Sequence, residues 1–85
     1  MYYVYVLESE KDDRLYIGCT KDLKKRVQEH NSGLNCSTRY RAPLRLIYYK
    51  AYLSLRDARI REARLKKFKN AYTELKKRIV YSLKL

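Results

Sequence analysis

The sequence predicts an α+β domain: a small three-stranded antiparallel sheet flanked by helices, in the order ββαβαα. Three observations carry that prediction. Two aromatic and β-branched runs, Tyr2–Leu7 and Arg14–Ile17, lie close together across a short polar turn, the pattern of an antiparallel hairpin. A third such run, Leu44–Tyr49, follows only after a helical segment. Beyond it, apolar residues recur at helical rather than strand spacing. A chain of 85 residues supports one modest core and not two, so a single domain over 1–85 is expected.

Each element has a local cause. Tyr2–Leu7 is apolar throughout and reads as a strand covered on both faces, and Glu8–Asp13 is a polar turn. Gly18 is expected to end the second strand, for a bend or for close approach of a ligand. Thr20 or Asp22 can cap the next helix, with Leu23 and Val27 as its core-facing pair. Asn31-Ser32-Gly33 stops that helix. Leu34–Ala42 is a polar loop without periodicity, and Pro43 opens the third strand. Ser54 and Asp57 resemble a capping box before a basic helix over about 55–69. Asn70 or Thr73 is expected to cap a last helix carrying Tyr72, Leu75, Ile79 and Leu83.

The formal net charge of +12 points to a polyanionic partner, because clustered Lys and Arg displace counterions from phosphates. Two cysteines without metal-ligand spacing, and one histidine, argue against a disulfide framework or a structural zinc site. No apolar run approaches a membrane span, so no membrane partner is expected. No basic-then-apolar leader follows Met1, and the expected compartment is cytoplasmic by elimination.

The chemistry-bearing residues concentrate between Leu15 and His30. Tyr16 lies on a strand, and Arg26 and His30 stand four apart on one helix face. A further clue is Glu62, which falls within the apolar stripe defined by Leu55, Ala58 and Leu65 while its neighbours Arg59, Arg61, Arg64, Lys66 and Lys67 are basic. An inward carboxylate needs a cation. Either it pairs with a nearby Arg or Lys, or it ligates a hard divalent ion with help from water and phosphate oxygens. Any one of the ten tyrosines suits a core; the specific signal is the set Tyr5, Tyr16, Arg26, His30 and Glu62.

Those residues resemble a known family. Tyr3-Val4-Tyr5, followed ten residues on by Tyr16-Ile17-Gly18, is similar to the paired motif of the GIY-YIG endonucleases. Thr20, Asp22-Leu23, Arg26, His30-Asn31-x-Gly33, Arg41-x-Pro43 and Arg61-Glu62 are similar to its small URI-like subgroup. The sequence departs from the pattern in having Tyr3 at the first motif's glycine and Cys19 where repair-type members carry a basic residue. The resemblance implies a metal-dependent phosphodiesterase that cuts one DNA strand at a time. It implies Tyr5 and Tyr16 as the family's tyrosines, Arg26 as the phosphate-neutralising arginine, His30 as the histidine one helical turn later, relaying a proton or holding a tyrosine hydroxyl, and Glu62 as ligand of one Mg²⁺ or Mn²⁺ ion.

On this reading Tyr16 is the preferred base and Tyr5 the positioner. A free phenol titrates at about pH 10, so nearby cations are expected to pull it down. Arg39, Arg41, Arg59, Lys66 and Lys69 are expected to hold the DNA backbone with little sequence preference. Two other readings stand beside it: a basic nucleic-acid-binding module without catalysis, and an RNA- or ribosome-associated accessory protein. RNA cleavage and oligomeric state are left open by the sequence.

Overall fold

The computed structural model describes residues 1–33, 38 and 40–83. It contains β1 (Tyr2–Ser9), β2 (Leu15–Thr20), α1 (Leu23–Asn31), β3 (Leu44–Tyr52), α2 (Leu55–Lys67) and α3 (Lys69–Arg78), the expected ββαβαα order. The strands form one antiparallel sheet in the order β2-β1-β3. β1 is therefore central, which explains its unbroken apolar character: Val4 through Leu7 are all buried. β3 is an edge strand and is only half covered, less than its apolar density suggested.

The period of two along β1 sorts the core into two layers. Val4 and Val6 meet Ala58 and Leu65 of α2 and Leu75 of α3. Tyr5 and Leu7 meet Leu44, with Tyr16, Leu46 and the α1 pair Leu23 and Val27 packed alongside. Alanine at Leu65 or Leu75 removes a fully buried side chain, a class of change that costs about 2–5 kcal/mol. Among the described residues no helix is long and apolar enough to cross a membrane.

Local chemistry sets the element ends. Asp22 caps α1, its carboxylate accepting from the Lys25 amide at 3.1 Å, while the Thr20 hydroxyl accepts from the Asp22 amide. Gly33 follows in the left-handed region, φ 81°. Ser54 caps α2 through the Asp57 amide. Asn31 does more than stop a helix: its side-chain amide donates to the Leu44 carbonyl at 2.9 Å and accepts from the Leu44 amide. That two-way strut ties the end of α1 to the start of β3. At the far end of β1, buried Glu8 accepts from Arg45 at 2.7 Å, and Arg45 also donates to the Ser82 carbonyl.

Further expectations are corrected. Glu8 and Ser9 are buried residues of β1 rather than part of the turn, and α3 ends at Arg78, short of Ile79 and Leu83. Gly18 does not end β2, which continues to Thr20 with Gly18 paired to Tyr5. Leu55 is exposed rather than part of the α2 stripe, leaving Ala58 and Leu65 as its buried contacts. The α2–α3 boundary falls at Phe68, so α2 stops at Lys67 and neither Asn70 nor Thr73 is the cap.

Candidate active site

A hollow of about 750 Å³ straddles the outer edge of β2. Tyr16 and Gly18 line it from one sheet face with Arg26 and His30 of α1, while Cys19 and Glu62 line it from the face covered by α2. Tyr5 reaches it from the central strand across Gly18. A Cβ at residue 18 would collide with the end of the Tyr5 ring. The close approach expected at this glycine is thus made by a tyrosine of the same chain.

Tyr5 is 2 % exposed and its hydroxyl bonds to His30 Nε2 at 2.9 Å. His30 Nδ1 in turn meets the Thr38 hydroxyl at 2.7 Å. The result is a buried relay Tyr5–His30–Thr38, with both imidazole nitrogens engaged. Burial pushes the Tyr5 phenol above its ordinary value, against the pull of Arg26 beside it. The expectation that cations would lower the tyrosines therefore fails at Tyr5: desolvation of the phenolate outweighs the guanidinium. Burial, then the Arg26 charge, hold His30 below the usual imidazole value, so it rests neutral. Thr38 carries no signal in the sequence, because its loop has no periodicity; only the fold brings it under the histidine.

Arg26 is partly exposed and its guanidinium stands beside the Tyr5 phenol, whose proximity raises the arginine further. Nη1 lies 3.4 Å from Glu29. Its buried Nε has no hydrogen-bond partner among the described residues. Glu62 Oε2 pairs with Lys66 Nζ at 3.0 Å, four residues on along α2. The two readings of this acid are thus not exclusive, since the ion pair itself sits in the wall of the hollow. Cys19, facing the same acid, is held above the usual thiol range by burial and then by Glu62.

The expected backbone-binding residues separate. Lys66 and Lys69 line the hollow. Arg59 is exposed on α2, close enough to act on Cys19. Arg41 pairs with Asp12 of the β1–β2 turn at 3.0 Å, away from the hollow. Arg39 lies outside the described residues.

Glu62 supplies one hard oxygen donor, and among the described residues no three His, Cys, Asp or Glu side chains gather as a metal cluster. A single carboxylate beside open, polar space fits a hard divalent ion that completes its shell with water and phosphate oxygens.

The fold and site define a small α+β domain with a hollow that brings Tyr5, Tyr16, Arg26, His30 and Glu62 together. The family model of the GIY-YIG catalytic domain matches residues 1–78. A UPF0213 protein of Clostridium perfringens is 43% identical over 68 residues, covering 79% of this chain and 72% of that protein. A UPF0213 protein of Streptococcus pyogenes serotype M5 is 46% identical over 74 residues, covering 86% and 79%. The solution NMR structure of a UPF0213 protein from Bacillus halodurans superposes with a TM-score of 0.55 at 35% identity, covering 88% of this chain and 81% of that one. The chain belongs to the GIY-YIG family, a family of nucleases, and nucleic acid is the substrate class that membership implies.

Proposed function

We propose that the protein is a DNA endonuclease that hydrolyses phosphodiesters one strand at a time, using one divalent cation, Mg²⁺ or Mn²⁺. The observation that carries the reading is the convergence of Tyr5, Tyr16, Arg26, His30 and Glu62, from four elements, on one hollow. None of these residues is close to all the others in sequence.

Each side chain has a task that its surroundings favour. Arg26 offers the exposed part of its planar guanidinium to the non-bridging phosphate oxygens, and stabilises the charge that builds as water adds to phosphorus. Tyr16 takes the proton of that water; the P–O bond opposite breaks, and the leaving oxygen is protonated from solvent. Tyr5 does not compete for the proton, because burial disfavours its phenolate. Instead the Tyr5–His30–Thr38 relay fixes the phenol against Arg26 and sets the direction of the fork. Glu62 would hold the divalent ion, which supplies Lewis-acid stabilisation of the phosphate and of the leaving oxygen when bound. Lys66 and Lys69 attract the backbone without reading bases.

Nicking of supercoiled plasmid tests this. The wild type should convert it to open circles in Mg²⁺ and not in EDTA. Glu62→Gln should abolish conversion while DNA binding in Ca²⁺ stays within about twofold. Absence of metal-dependent cleavage of supercoiled, branched and single-stranded DNA by the wild type would leave a binding module as the better account.

A further inference from the structure

The chain's only phenylalanine sits where helix chemistry gives it no purpose. Phe68 closes α2 and opens α3 in the same residue, with extended backbone at φ −109° and ψ 114°. That position favours a short polar side chain whose oxygen accepts from the first turn. Phenylalanine has no acceptor, and α3 accordingly lacks a side-chain cap. Nor does the ring serve the core. It is 58% exposed, while Leu65 before it and Leu75 after it are buried. An aromatic ring left in water forgoes the gain that burial gives. Yet Phe68 lines the same hollow as Glu62 and Arg26, with its sequence neighbours Lys67 and Lys69.

We infer that Phe68 is a stacking platform for an unpaired base of the DNA strand whose phosphodiester enters the hollow. The inference rests on the nuclease reading and extends it from backbone chemistry to base state. Phosphates are presented alike by duplex and single strand, so the lysines alone carry no information on pairing. A base offers its flat face to a protein ring only when it is free of its neighbours, and such stacking tolerates any sequence. A ring beside the cationic wall therefore selects strands with an unstacked nucleotide next to the bond to be cut. Phe68 is a specificity-determining residue on this account, acting on the substrate rather than on the reacting atoms.

The chain has no tryptophan, so Phe68→Trp places a single fluorescent reporter at the platform. In EDTA, where no cleavage competes, the probes are a thymidine decamer and a blunt ten-base-pair duplex. The single strand should quench the Phe68→Trp emission and the duplex should leave it nearly unchanged. Phe68→Ala should weaken decamer binding about tenfold, Phe68→Tyr should restore it, and duplex affinity should stay constant. Equal decamer affinity in Phe68→Ala and wild type, equal losses on both probes, or an unresponsive tryptophan would overturn the inference. Those results with plasmid nicking intact would remove the platform and keep the nuclease. Quenching specific to the single strand in a protein that never cleaves DNA would keep the platform and remove the nuclease.

Discussion

Tyr3 and Tyr5 stand two residues apart on the same face of β1, and both make edge-on ring contacts. Tyr5 meets His30 with centroids 5.8 Å apart, and Tyr3 meets Tyr49 at 6.0 Å, each pair inclined by 64°. Their environments nevertheless differ in kind. Tyr5 lies across Gly18, is buried, and bonds to a histidine that is itself bonded to Thr38. Tyr3 pairs across to Thr20 and Ala51, and its hydroxyl makes no hydrogen bond among the described residues. It borders a cleft of about 890 Å³ whose apolar floor is Leu23, Val27, Leu46 and Tyr49 and whose rim carries Lys21, Asp22, Lys24 and Gln28, without a histidine or a glutamate. Residue type and stacking geometry are shared. The cross-strand neighbour, glycine or threonine, decides which tyrosine reaches a relay.

Breaking the polar side should cost most. Arg26→Ala should slow plasmid nicking by about 10²–10³-fold, the range for loss of one transition-state donor, while Tyr3→Ala should leave the rate within a few-fold. Gly18→Ala comes next. The added methyl must displace the Tyr5 ring, so overpacking should lower stability by about 1–3 kcal/mol in urea unfolding. The same variant should release the Tyr5–His30 bond, seen as a shift of the His30 imidazole resonances.

Smaller effects sharpen the contrast. Tyr5→Phe leaves a buried imidazole nitrogen unpaired and should cost about 1–3 kcal/mol. Tyr3→Phe should stay within about 0.5 kcal/mol, as expected of a partly exposed hydroxyl with no hydrogen bond among the described residues. The pH dependence is subtler. Because His30 is depressed in the folded state, the unfolded chain binds its proton first as pH falls below about 6.5. Stability from neutral His30 is therefore complete above that pH and is lost as pH drops toward the lower folded value. His30→Gln should flatten this portion of the acid limb, measured by urea midpoints between about pH 7 and pH 5.

What the sequence made legible follows from range of interaction. β1, the helix caps at Asp22 and Ser54, and the anomaly at Glu62 all rest on residues within a turn or a strand of each other. Glu62 could be flagged from one helical wheel because a carboxylate among Ala58 and Leu65 needs a reason wherever the helix packs. Gly18 was misread because the cause of a glycine in mid-strand lies on the facing strand, in the Tyr5 ring. Thr38 and the Asn31 strut were invisible for the same reason: their partners, His30 and Leu44, are chosen by tertiary contact. The direction of the Tyr5 shift was likewise beyond the sequence, since it depends on burial outweighing a nearby guanidinium.

The claim that the hollow at Glu62, and not the cleft beside Tyr3, receives the divalent ion is tested most directly by Mn²⁺ broadening of backbone amide resonances in the presence of a short DNA phosphodiester. The account predicts loss of the Gly18, Cys19 and Glu62 signals at low Mn²⁺, with Leu46 and Tyr49 unaffected. Broadening centred on Leu46 and Tyr49, or none near Glu62, would contradict it.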